Sequence, residues 1–279
     1  MQEEVVKNRA GGVAFTLIRI TPSGRLEAAV PAEEEKGAEV AEGALEGKIE
    51  LDLGSRLPAA DRTFAAREVF RFGIDVEESP GDVRVKKPDG KIDPLVARWM
   101  SLLAPFPIPD PENPEVQYPS VEHYLAAMKL KQASNRPDLA EKLFSSKSAL
   151  HQQFLTERQT KGIRRETESD FELLQKEDKQ IQSLLTKTSL NKYKVIVYED
   201  KWEDQRKDAE LRKALAYRWK HDQRFHDTVE AAREARKYLL YSSKVAPLEL
   251  GGKRSIKTGK IEGENKVGRM IMELAEFQF

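Results

Sequence analysis

Apolar positions change their period near residue 100. Before that point they read as strands. Residues 13–20 form a mostly apolar run, Pro22-Ser23-Gly24 supplies a turn, and 26–30 returns as the second strand of a hairpin. Residues 48–53 and 69–76 predict two more strands, the latter with Phe70 and Phe72 on one face. Residues 83–85 and 91–92 flank Pro88-Asp89-Gly90, where Pro presets φ and Gly accepts a positive φ, so a turn is expected. Residues 31–46 carry Glu33, Glu34, Glu35, Glu39, Glu42 and Glu46 among Ala and Gly, which reads as an exposed acidic loop or a short surface helix. A proline run follows (Pro105, Pro107, Pro109, Pro111, Pro114, Pro119), too dense for a helix.

From there the period is helical. Ser120 is a good N-cap, and Val121, Tyr124, Leu125, Ala127 and Met128 follow at helical spacing. Residues 137–160 and 165–187 predict further helices, the second with Phe171, Leu174, Ile181, Leu184 and Leu185 on one side. A short β-like run covers 193–198. Helices are expected over 204–216 and 227–241, a Gly- and Lys-rich loop over 250–263, and an amphipathic helix over 267–277. The pattern predicts an α+β protein: a β-rich N-terminal region, 1–94, then a mainly helical domain, 95–279.

Composition narrows the chemistry. A chain of 279 residues holds one or two domains. It has no cysteine, which excludes disulfides, thiolate metal sites and a cysteine nucleophile. Forty-seven basic and 47 acidic residues cancel, which argues against a broad nucleic-acid footprint. An acidic N-terminal part could still mask a local basic patch. No apolar stretch approaches the about 20 residues of a membrane span, and the start, Met1-Gln2-Glu3-Glu4, lacks a basic export signal. The expectation is a cytoplasmic protein without membrane contact, or one packaged in a larger particle.

His221 and His226 lie five apart, whereas a zinc pair on one helix face wants four, so no metal site is expected there. Neither a phosphate-binding P-loop nor a G-x-S-x-G elbow is present, and no cofactor is implied. Gly251, Gly252 and Gly259 sit among Lys253, Arg254, Lys257 and Lys260, which suits either an anion site or a surface loop. Glu122 falls in the first turn of the helix after Ser120, where the helix dipole favours a carboxylate, and Lys129 shares its face two turns on.

The segment Tyr118-Pro119-Ser120-Val121-Glu122-His123-Tyr124, with Lys129, resembles the opening helix of the NADAR (YbiA-like) family. Trp202 followed by Leu211, Ala214, Leu215 and Trp219 is similar to the family's Trp and Met-x-x-Ala-Leu-x-x-x-Phe blocks. Gly263-Glu264-Asn265-Lys266-Val267-Gly268-Arg269-Met270-Ile271-Met272 is similar to its closing Gly-x-Asn-x-Leu-Gly-x-x-Leu-Met. The resemblance covers roughly 95–279, with 146–200 as a helical insertion. It implies a mainly helical α+β domain that binds a nucleotide-like molecule, of the ADP-ribose or phosphorylated riboflavin-precursor type, and hydrolyses an N-glycosidic bond. Glu122 would be the catalytic carboxylate. His123, Lys129, Trp202, Lys253, Arg254 and Asn265 would line the ligand; core packing for Trp202 and helix capping for Asn265 are the structural alternatives.

The departures are specific. The family's Asp-x-x-Trp-Gly block, which carries part of its catalytic set, is replaced here by Glu249-Leu250-Gly251-Gly252-Lys253-Arg254. A second reading follows: a catalytically decayed relative serving as a structural or interaction component of an assembly such as a virion, with residues 1–94 as the docking part.

Overall fold

The computed structural model describes residues 17–20, 26–29, 62–76, 83–86, 90–163, 168–203, 206–242 and 249–278. The chain divides into two compact units, Met1–Asp52 and Leu53–Phe279. In the first, β1 (Leu17–Ile20) pairs antiparallel with β2 (Leu26–Ala29), the hairpin expected from the alternation. The expected acidic loop and the strand over 48–53 lie outside the described residues.

The second unit is mixed α and β. Its first strand, β3 (Val69–Phe72), is followed by a short helix α1 (Val96–Trp99). The proline run contributes β4 (Ile108–Pro109) and β5 (Gln117–Tyr118), a two-residue antiparallel pair. Then come α2 (Val121–Ala133), α3 (Leu139–Phe144), α4 (Ala149–Thr160), α5 (Glu168–Leu184), α6 (Lys187–Lys192), α7 (Glu199–Glu203), α8 (Arg206–His221) and α9 (Gln223–Glu234). The strand β6 (Tyr238–Tyr241), the hairpin β7 (Lys253–Arg254) and β8 (Ile261–Glu262), and α10 (Lys266–Leu274) close the fold. No described helix is long and apolar enough to cross a membrane.

Local chemistry explains where the helices begin. Ser120, Ser148, Thr186 and Asp222 each turn a side-chain oxygen to the backbone N–H three residues on, satisfying a donor the helix leaves unpaired. The single helix expected over 137–160 is two, because the chain turns extended at Ser145 before Ser148 starts α4. The helix expected over 227–241 ends at Glu234. Arg236 takes a left-handed φ of 49°, and Tyr238–Tyr241 becomes a strand. The run 193–198 makes only an isolated bridge, Ser134 to Val197.

The strands β3 and β6 pair in parallel, with Phe70 opposite Leu239 and Phe72 opposite Tyr241. Phe70, Phe72, Leu239 and Leu240 are all fully buried. This ladder crosses the boundary expected near residue 95: β3 is too short to stand alone, and its partner comes from 238–241. Lys86 is bridged to Ile92 and Gly90 takes a φ of 80°, while Pro88 and Asp89 of the expected turn lie outside the described residues.

A buried polar knot ties the proline-rich segment to α2. The Asp110 carboxylate accepts from the Tyr118 hydroxyl at 2.6 Å, Lys131 Nζ at 2.7 Å and the backbone of Glu112 at 2.9 Å. Burial pushes this carboxyl up, but the hydrogen bonds from Lys131 and Tyr118 outweigh it and hold the pKa below the ordinary 3.8. A depressed folded-state pKa contributes stability above the unfolded value, and that contribution fades as pH falls through the folded value. Asp110→Asn is expected to cost about 2–3 kcal/mol at pH 7, by leaving Lys131 and Tyr118 poorly matched. The gap between wild type and variant in urea midpoint should narrow as pH is lowered from 7 towards 3. A gap that widens would contradict the ionised knot.

Candidate functional site

The helix α2 packs against α5 and α8. Ser120 caps α2, and Val121, Tyr124, Leu125 and Met128 are buried. The Glu122 backbone N–H donates to Leu102 O at 3.2 Å, fixing the helix start on the turn that carries Ser101. Glu122 itself is half-buried. Among the described residues, no hydrogen bond or ion pair holds its carboxylate. The charges that act on it are those of Asp178, on α5, and Lys207, on α8.

Burial and then the negative charge of Asp178 push the Glu122 carboxyl up to about 7, with Lys207 pulling it back. Asp178 is also raised, first by burial and further by Asp75, against the opposing pull of Gln182 and His123. The Tyr241 phenol feels the same charges. Burial, then Glu122 and Asp178, hold it well above its ordinary value, against a side-chain hydrogen bond with Ser101. Two carboxyl groups with raised pKa act on one another and on the same phenol, an electrostatically coupled acidic nest in which the Glu122 carboxyl can hold or release a proton near neutrality. Gln175 donates to Asp75 at 3.1 Å on its edge.

Next to this nest His123 is fully buried. Its Nδ1 lies 2.9 Å from Ser120 Oγ and its Nε2 lies 3.1 Å from Glu177 Oε1. The His151 Nδ1 lies 3.0 Å from the same oxygen. Burial pushes Glu177 up, but its bonds from His123 and His151 outweigh that and hold it below the usual carboxylate range.

The other residues expected at a ligand go elsewhere. Lys129 pairs with Glu199 at 2.8 Å, away towards α7. Trp202 is buried in the main core, which is the packing alternative. Lys253 is exposed and pairs across its hairpin with Glu262 at 3.0 Å. Arg254 Nε donates to Phe64 O at 2.6 Å and pins that segment to the hairpin. Asn265, at the N-cap of α10, makes no side-chain cap. Its Nδ2 donates to Leu239 O at 2.8 Å and its Oδ1 accepts from Tyr241 N at 3.0 Å, so the amide staples α10 to β6. Asn265→Ala unpairs the buried Leu239 carbonyl and the part-buried Tyr241 N–H. It is expected to cost about 2–3 kcal/mol in chemical denaturation. A variant as stable as wild type would show that the staple contributes nothing.

Asp178, Glu177 and Tyr241 escape the sequence reading, though one signal pointed to the first two. Phe171, Leu174 and Ile181 define the buried stripe of α5, and positions 177 and 178 fall on that stripe between Leu174 and Ile181. Acids on an apolar face ask for partners. Glu249, in the loop that departs from the family pattern, is bound by Lys207 at 3.0 Å and Lys266 at 2.8 Å, which lower its pKa. His221 and His226 go separate ways, the first tilted against Tyr217 and the second stacked on Trp219. Comparison of the chain with protein-family models, with curated proteins and with solved structures gives no match.

Proposed function

We propose that the chain is a NADAR-like N-glycoside hydrolase acting on a nucleotide-derived ligand, with Glu122 as its catalytic carboxylate. The observation that carries the reading is the Glu122 carboxylate at the start of α2, which has no hydrogen-bonding partner among the described residues and feels the charge of Asp178. A carboxylate that served only to cap or to pair would be engaged. Two further facts support it. The three resembling blocks meet in the fold, because α8 packs against both α2 and α10. Asp178 also supplies a second acid where the family's Asp-x-x-Trp-Gly acid is missing, while Glu249 is neutralised by two lysines.

The chemistry follows from charge. As the bond from the anomeric carbon to nitrogen breaks, its electron pair leaves with the base and the sugar carbon becomes positive. Glu122 and Asp178 place negative potential there. Glu122 orients a water and accepts its proton as the new C–O bond forms, and that same proton is handed on to the departing nitrogen, so that one water is divided between the sugar and the leaving group. The family's ligands define the test: calorimetric titration with ADP-ribose and with a phosphorylated riboflavin precursor, followed by product analysis. Binding with release of sugar and leaving group is the expected result. Binding without products would leave a ligand-binding relative, and absence of binding to both would turn attention to the assembly reading.

A further inference from the structure

We propose that His123, His151 and Glu177 form a binding site for a borderline divalent cation of the zinc class. Each ligand comes from a different helix, α2, α4 and α5, and the three ligand atoms lie within 4.8 Å of one another. His123 and Glu177 are almost fully buried, and the His151 side chain is 13% exposed.

The geometry is what distinguishes a metal site from a hydrogen-bonded carboxylate. A carboxylate offers two oxygens, yet both imidazole nitrogens converge on the same one, Oε1, at 3.1 and 3.0 Å. With metal–ligand bonds of about 2.0–2.2 Å at tetrahedral angles, donor atoms stand about 3.4 Å apart, so each nitrogen–oxygen pair need open by only a few tenths of an ångström to admit an ion. The outer contact is also right. With Nε2 given to the metal, Nδ1–H of His123 donates to Ser120 Oγ, 2.9 Å away, which sets the tautomer and the ring plane. Ser120 is itself fixed as the cap of α2.

The donor set selects the ion. Two imidazoles and one carboxylate suit zinc, cobalt or ferrous iron, whereas magnesium and calcium prefer oxygen ligands throughout. Three protein ligands leave a fourth position open. His151 lines a cavity of about 280 Å³ walled by Trp99, Pro107, Pro119, Phe154 and Leu174, which offers a mostly apolar approach to that position. Glu122 and Asp178, the immediate chain neighbours of two ligands, add negative potential that favours a cation. Beyond an acid on the apolar stripe of α5 the sequence does not point to this site, because 123, 151 and 177 follow no metal-binding spacing and only α-helical packing joins them.

The test uses the full chain stripped with chelator and titrated with zinc chloride by calorimetry, with magnesium chloride as control. Saturable binding of one zinc per chain, a raised thermal midpoint and no magnesium response are expected. Cobalt should give the visible d–d bands of a four- or five-coordinate ion. His151→Ala, at the most exposed ligand, is expected to weaken zinc at least about tenfold and to abolish those bands, and Glu177→Gln to do the same. Circular dichroism establishes that the variants are folded; if Glu177→Gln is not, His151→Ala decides. Folded wild type that takes up no zinc, or a folded His151→Ala that binds it as tightly as wild type, overturns the site. Neither result bears on Glu122, whose role is read from products.

Discussion

Gly268→Ala is expected to lower the thermal midpoint of the Leu53–Phe279 unit by about 6–12 °C, the equivalent of about 3 kcal/mol for a unit of this size. Gly268 lies in the first turns of α10, directly over β6. A Cβ there would stand 2.3 Å from Leu239 O and 2.6 Å from both terminal atoms of the Asn265 amide. None of these can step aside cheaply. Leu239 O accepts from Asn265 Nδ2, and β6 is locked in register with β3. The helix must lift from the strand, opening contacts around Val267, Ile271 and Met272, all fully buried. The backbone at Gly268 is not left-handed, so the whole cost is close approach. Gly90→Ala provides the contrast. Its φ is 80° with nothing within 4 Å of an added Cβ, so only the conformational penalty of about 1–2 kcal/mol applies. Should Gly268→Ala unfold no earlier than Gly90→Ala, the close packing of α10 on β6 would be wrong.

That pair of positions shows what could be read in advance and what could not. The closing block containing Asn265 and Gly268 stood out in the sequence, but its residues suggested a ligand pocket. The structure gives the amide to the β6 backbone and the missing side chain to helix–strand contact. Short-range chemistry was legible: the Ser120 cap, the core face of α2, the hairpin at 17–29 and the paired faces of Phe70 and Phe72 follow from neighbours a few residues apart. The strand Tyr238–Tyr241 was not. Its apolar residues continue the stripe of α9, and only the parallel partner Val69–Phe72, far away in sequence, makes extended backbone the better arrangement there. The same holds for the site. Glu122 was singled out by the resemblance of its segment to a family motif, its place in a first turn suggesting no more than capping, whereas Asp178 and Tyr241 act on it from α5 and β6, which no local pattern connects to residue 122.

Glu122→Gln is expected to reduce turnover of an N-glycosidic substrate by at least about two orders of magnitude while leaving ligand affinity within a few-fold. The substitution keeps the shape of the side chain and removes its charge. An interaction used only as the sugar carbon becomes cationic is lost in the rate and not in ground-state binding. Asp178→Asn should act in the same direction and more weakly, about tenfold, because its charge reaches the same centre without orienting the water. The two effects should fall short of additivity in the double variant, since both residues shape one local potential. Single-turnover product formation, with affinity measured on the same preparations, separates the rate from the binding. A Glu122→Gln rate within twofold of wild type would remove Glu122 from the chemistry. Equal losses in both variants, with affinity falling in parallel, would assign the acidic nest to binding the ligand rather than to breaking its bond.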